Sequence, residues 1–139
     1  MARDSSCIFC KIVAGEAEAH RVYEDEHTLV FMDIFPVSDG HTLLIPKEHC
    51  QDLFDANPEA LSSLMATSKR VATALRSVVE PEGMMVFQLN GAAAGQTVFH
   101  YHMHLLPRWA SQPFALHARE PGDPKRLAEL ATRIAAALD

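Results

Sequence analysis

Long apolar runs are missing from this chain of 139 residues. None approaches the roughly 18 consecutive apolar residues of a membrane-spanning helix, so a membrane protein is not expected. The opening Met1-Ala-Arg-Asp-Ser-Ser lacks the apolar stretch of a secretion signal, and a cytoplasmic location is the default expectation. Basic residues are outnumbered, 12 Lys+Arg against 18 Asp+Glu, for a net charge of −6. That excludes gripping a nucleic-acid backbone as the main task, and no nucleic-acid partner is expected. A small phosphate ligand, held by a few local donors, stays compatible with it. Cysteine is scarce and odd in number, three residues in all, which argues against a disulfide scaffold. Linkers, repeats and low-complexity tracts are also absent, so residues 1–139 read as one domain. What is present, 48% hydrophobic and 22% charged residues, is ordinary globular composition.

Two segments have helical period. Asn57-Pro58 supplies an N-cap and a proline at the first helical position. Leu61, Leu64, Met65, Val71, Leu75, Val78 and Val79 then recur every three or four residues, until Pro81 and Gly83 end the helix. From Pro124, Leu127, Leu130, Ala131, Ile134 and Leu138 share one side of a C-terminal helix. Short strands are predicted at 21–24, 28–32, 41–45, 84–89 and 98–106. Without a helix between each pair, these strands are expected to run antiparallel. The fold class is therefore α+β: a single domain with a five-stranded antiparallel sheet, one long helix packed on it and a C-terminal helix.

The segment richest in chemistry is Gly95-Gln-Thr-Val-Phe-His100-Tyr-His102-Met-His104-Leu-Leu-Pro-Arg108. Three of the chain's eight histidines fall within five residues, alternating with Tyr101 and Met103. On a strand this puts the imidazoles on one face and the apolar partners on the other. A second constellation is Cys7-Ile-Phe-Cys10, whose spacing lets two thiolates reach one tetrahedral metal. With a single further cysteine available, histidines must complete the set, and His49 and His100 are the candidates. Four protein ligands would make such a Zn2+ site structural, because no position stays open for water. Cys50 is expected to be a bystander. Asp33, just past a predicted strand, is suited either to a turn or to accepting hydrogen bonds from ribose hydroxyls.

His100-Tyr-His102-Met-His104-Leu-Leu resembles the signature of the histidine triad (HIT) family, His-φ-His-φ-His-φ-φ with φ apolar. Phe31-Met-Asp-Ile-Phe-Pro36 resembles that family's nucleoside-binding segment and Gly40-His-Thr-Leu-Leu-Ile-Pro-Lys47 its next strand. Asn90 and Gly95-Gln-Thr97 resemble its phosphate-contacting loop. The resemblance implies a homodimeric nucleotide hydrolase or nucleotidyl transferase for a purine nucleotide substrate. It would act through a covalent nucleotidyl-histidine and release a nucleoside monophosphate. His102 would be the nucleophile, His104 a phosphate contact, and His41 the group that orients or polarises the ring. Gln96, Thr97 and the amides around Gly95 would cradle phosphate oxygens, with Thr97 or His104 protonating the leaving group. Asp33 would bind the ribose, Ile34, Phe9 and Leu44 would form the base slot, and Asn90 would contact His102 or substrate. The zinc set Cys7, Cys10, His49 and His100 agrees with the small bacterial zinc-containing members. Arg108 meets either a distal phosphate or a surface carboxylate, Trp109 either a dimer interface or the ligand, and His20, His27 and His117 are expected to be solvated. Both phosphoramidates and dinucleoside polyphosphates fit as substrates. The alternative from another class is a non-enzymatic nucleotide-binding, zinc-stabilised interaction protein.

Overall fold

The computed structural model describes residues 3–139. Its elements run α1 (Ile8–Val13), β1 (Arg21–Glu24), β2 (Thr28–Met32), β3 (Thr42–Pro46), α2 (Pro58–Val79), β4 (Gly83–Phe87), β5 (Met103–Arg108) and α3 (Pro124–Ala136), with a 3-10 turn at Ala92–Ala94. The strands form one antiparallel sheet in the order β1-β2-β3-β5-β4.

Helix ends follow local chemistry. Asn57 and Asp123 each accept a backbone N–H through the side chain, ahead of Pro58 and Pro124. α2 stops where Glu80 enters the left-handed region at φ 49°, just before Pro81. The apolar stripes of α2 and α3 cover one face of the sheet. There Leu64, Val71, Leu75, Leu127, Leu130 and Ile134 meet Val30, Met32, Leu44, Met103 and Leu105. Each such aliphatic side chain contributes about 1.5–3 kcal/mol when fully buried. The opposite face carries a smaller cluster of Phe9 and Ile12 from α1 with Leu29, Phe31, Leu43 and Ile45. Alternation thus sends Leu43 and Leu44 to different faces, so Leu44 belongs to the core under the helices and not to a base slot.

The pairing register puts Phe31 beside Leu43, Leu43 beside His104 and His104 beside Phe87, one row across four strands on the face away from α2. The last strand is shorter at its start than its alternation predicts. Its ladder begins at Met103, and residues 98–102 approach it as irregular chain, with the Tyr101 N–H donating to the Cys50 carbonyl at 2.8 Å. Side-chain direction still alternates: Tyr101 and Met103 enter the helix-side core, and the histidines project the other way. β3 and β4 also begin one residue off the predicted positions, at Thr42 and Gly83. α1, whose Cys7 accepts the Cys10 N–H at 3.3 Å as an N-cap, lacks any sequence signal of its own.

Candidate active site and metal cluster

Between α1, the loop after β2 and the histidine segment lies a cavity of about 400 Å³. Ile8, Phe9, Ile12, Phe31, Ile34 and Leu43 give it an apolar wall, while Asp33, Thr97, His102, His104 and His117 supply polar groups. Phe9 packs edge-on against Phe31 at 5.3 Å and against His102 at 5.2 Å, joining the apolar end to the imidazoles.

Hydrogen-bond partners fix the imidazole tautomers. The His102 Nδ1–H donates to the His100 carbonyl at 2.7 Å, which leaves Nε2 with a free lone pair. Burial holds this ring below the ordinary histidine range, so near neutrality it carries no proton on that nitrogen. His41, wholly buried, accepts the Val37 N–H at Nδ1 (3.1 Å) and lies 2.9 Å from His104 Nδ1 through Nε2. Its Nε2–H therefore donates, and the neutral His104 carries its own proton on Nε2. Burial pushes His41 down to about 4, and burial beside His102 and His41 pushes His104 lower still. Phe87 stacks on His104 at 4.3 Å with planes 9° apart, fixing the ring's rotation. His41 keeps its place because Gly40, at φ +90°, packs against α2; a Cβ there would sit 2.7 Å from Leu75 Cδ1.

Asp33 forms the expected turn and also borders the cavity. One carboxylate oxygen accepts the Phe35 N–H at 2.9 Å in a turn, and the other lies 3.5 Å from His41 Nε2 at the cavity wall. Burial raises this carboxyl above its usual range. His41 is neutral and its Nε2–H is already directed to His104, so the Asp33 contact is not a full ion pair. Asp33, His41 and His104 have donor atoms close enough for a metal, but hydrogen bonds occupy both nitrogens of His41.

Two residues expected at the phosphate loop serve the loop's own architecture. Gln96 is buried, accepts the Gly91 N–H at 2.7 Å and donates to the carbonyls of Gln51 and Val98 at 2.7 and 3.1 Å. Asn90 accepts from the Leu53 N–H and from Gln88 Nε2, both at 2.8 Å, and does not line the cavity. Gln96 and the Asn90 side-chain oxygen pin the chain around residues 51–53 to this loop. Thr97 does face the cavity. Arg108 donates to the carbonyls of Gln112 and Pro113 and covers the Phe114 ring, so it meets neither a phosphate in this cavity nor a carboxylate. Trp109 lies with it in a separate groove beside Met84, Met85 and Phe114. His117 corrects the expectation of a purely solvated ring: although exposed, it lines the cavity, with its centroid 6.3 Å from that of His104. No periodicity marks it, because it sits in irregular chain.

The first histidine of the run has separate neighbours. The His100 Nε2–H donates to the Pro46 carbonyl at 2.8 Å, which turns its bare Nδ1 towards Cys7 Sγ (3.4 Å), Cys10 Sγ (3.6 Å) and His49 Nδ1 (3.2 Å). Cys10 Sγ is also 3.3 Å from His49 Nδ1. A tetrahedral zinc with bonds of about 2.0–2.3 Å separates its ligand atoms by roughly 3.3–3.8 Å, so the donor set fits that ion. The Cys10 and Asp4 N–H groups point at the two sulfurs, at 3.3 and 3.4 Å, as suits thiolates. Cys50 is buried in the helix-side core and takes no part, its thiol pushed up to about 11 by burial.

A match to the HIT domain spans residues 14–111. The chain belongs to the HIT family. This HIT protein is 46% identical to Protein hit of Bacillus subtilis over 104 residues, 75% of this chain and 72% of that one. Adenylylsulfatase HINT3 of Arabidopsis thaliana is 34% identical over 120 residues, 82% of this chain and 61% of the plant protein. Among solved structures, a zinc-bound histidine triad family protein from Mycobacterium smegmatis aligns with a TM-score of 0.83. It is 41% identical, over 95% of this chain and 92% of the other. Among the described residues, no helix of this HIT protein is long and apolar enough to cross a membrane.

Proposed function

We propose that this HIT protein is a nucleotide hydrolase or nucleotidyl transferase that cleaves a nucleoside phosphoramidate or a dinucleoside polyphosphate at the α-phosphate. The observation that carries this reading is the free Nε2 of His102. Its ring is held by a carbonyl on the far nitrogen, stays neutral through burial, and faces a cavity with an apolar end and polar donors. In the first step Nε2 forms a bond to the α-phosphorus as the bond to the leaving group breaks; the leaving group takes its electron pair and a proton supplied by Thr97 or by His104 Nε2–H. Water then attacks phosphorus and returns a proton to that donor, the N–P bond breaks, the nucleoside monophosphate departs and the imidazole returns neutral. His104 Nε2–H, backed by the donor His41, is set to hydrogen-bond a phosphoryl oxygen, and Thr97 adds a hydroxyl. Asp33 would accept from the ribose hydroxyls, and the aromatic slot of Phe9 and Phe31 with Ile34 would hold a purine.

The test is acid quenching during turnover of adenosine 5′-phosphoramidate. A nucleotide bonded to His102 is expected, and turnover with no adduct and no loss in His102→Ala would overturn the assignment. Nucleotide affinity without any turnover would favour a non-enzymatic binding role. Cys7, Cys10, His49 and His100 would hold zinc, which would supply a structural cross-link of the N-terminal segment to the histidine segment. About one zinc per chain, lost in Cys7→Ser, is the expected analysis. We also take the chain as one HIT domain over 1–139, cytoplasmic and homodimeric. The β4 edge, with Val86 exposed and Met84 and Met85 beside Trp109 and Phe114, suits a subunit contact. Light scattering at micromolar concentration decides the dimer.

A further inference from the structure

Residues 109–123 leave β5 and reach Asp123, the cap of α3, without forming a helix or strand. The segment is nevertheless tied down at three places. Near its start, Arg108 holds the carbonyls of Gln112 and Pro113 at 2.7 and 3.0 Å. At its end, the Gly122 N–H donates to the Ile34 carbonyl at 2.8 Å. In its middle, His117 Nε2–H donates to the Gly95 carbonyl at 2.7 Å, beside the loop that leads to Thr97. The segment therefore spans the cavity mouth, from the turn that carries Ile34 to the loop ahead of the histidines.

The charge inventory of the cavity makes this placement informative. Among the described residues, no lysine or arginine lines it, and its two carboxyl side chains are Glu18 and Asp33. His102 and His104 are buried and neutral. A phosphate-rich ligand gains no fixed positive charge from the walls. The remaining group with an exchangeable N–H and open access to solvent is His117. Four rings follow one another along the site, Phe9, His102, His104 and His117, with successive centroids 5.2, 4.9 and 6.3 Å apart. The aromatic slot is at one end of that row and His117 at the other, beyond the attacking ring.

We propose that His117 is the contact for an anionic leaving group, so that the enzyme favours dinucleoside polyphosphates over substrates that release a small amine. The proposal rests on the hydrolase reading given above and specifies its substrate class. With Nε2–H held by Gly95, Nδ1 is the ring nitrogen left for an oxygen of the leaving group, where a proton shared with that anionic oxygen makes a charge-assisted hydrogen bond. A departing polyphosphate, which carries its own charge, gains from this contact; ammonia does not.

The test compares wild type, His117→Ala and His117→Gln on diadenosine tetraphosphate and on adenosine 5′-phosphoramidate. His117→Ala is expected to lose about tenfold or more in kcat/KM on the tetraphosphate while staying within about twofold on the phosphoramidate. His117→Gln, which keeps an N–H for Gly95 but cannot become cationic, should lose nearly as much as the alanine variant. Equal losses on both substrates would show that the residue only braces the Gly95 loop, and no loss on either would remove it from the site; each overturns the proposal. A binding arm separates this outcome from failure of the hydrolase reading. Wild type should bind adenosine triphosphate more tightly than adenosine monophosphate, and His117→Ala should abolish that preference. A preference present in wild type and lost in the variant, with no turnover of either substrate, would sink only the hydrolase reading. Equal affinity of wild type for the two nucleotides would overturn the leaving-group contact itself.

Discussion

His100 and His102 are two residues apart, project from the same side of the chain, and are prepared for opposite work. His100 gives Nε2–H to the Pro46 carbonyl and turns Nδ1 to two sulfurs and a second imidazole. His102 gives Nδ1–H to the His100 carbonyl and turns Nε2 to an open cavity. In each ring one carbonyl acceptor settles which nitrogen is bare, and the neighbours of that nitrogen settle what it can do. The difference teaches that a histidine's role here is set by which of its nitrogens is tied. The His100 main chain serves both sites, since its carbonyl orients the ring of His102.

The strongest way to break this comparison is to remove one ring. His102→Ala is expected to lower kcat by about a thousandfold or more, with the melting temperature and metal content unchanged. Loss of metal from this variant would mean that the two sites are not separable. Next comes Cys10→Ser, which should abolish zinc binding and destabilise the fold by about 2–5 kcal/mol in chemical denaturation. His41→Ala removes the donor to His104 and leaves the pairing row intact. A loss of about ten- to a hundredfold in kcat with normal zinc is expected in steady-state assays. Equal activity would show that the His41–His104 bond does not prepare the site.

A smaller effect should appear in the pH dependence of stability. Burial pushes His41 down to about 4, whereas an unfolded histidine titrates near 6.5. Above pH 6.5 neither state is protonated, and this residue adds no pH dependence. As pH falls from about 6.5 to about 4, the unfolded chain takes up a proton that the folded chain does not, so stability drops by up to about 1.4 kcal/mol per pH unit. His104, also pushed down, adds to the slope. Urea titrations of wild type and His41→Gln over this range should show a shallower slope in the variant. The difference isolates this ring from acid release of any metal.

Local patterns were legible where one element's chemistry sufficed. The cap at Asn57, the α2 stripe, the alternation around Tyr101 and Met103, and the Cys7–Cys10 spacing were all readable, as was the grouping of those cysteines with His49 and His100. Parity and loop contacts were not. Leu44 was expected in the base slot, yet Leu43 lines the cavity, because an apolar run buried on both faces does not announce which residue points where. The bonds that tie Gln96 and Asn90 to Gln51 and Leu53 span 45 and 37 residues of sequence, and no local pattern announces them. His117 had no signal because irregular chain has no period to read.

Residue order alone determined the donor types available to this protein and their local spacing: two thiols three positions apart, three imidazoles at alternate positions, and an acidic chain without a basic tract. Only the tertiary structure decided which nitrogen of each imidazole is free, and that a ring from beyond β5 reaches the cavity. The reason is physical. A side chain's identity is local, but its tautomer, its burial and its neighbours are set by carbonyls and rings brought together from distant parts of the chain.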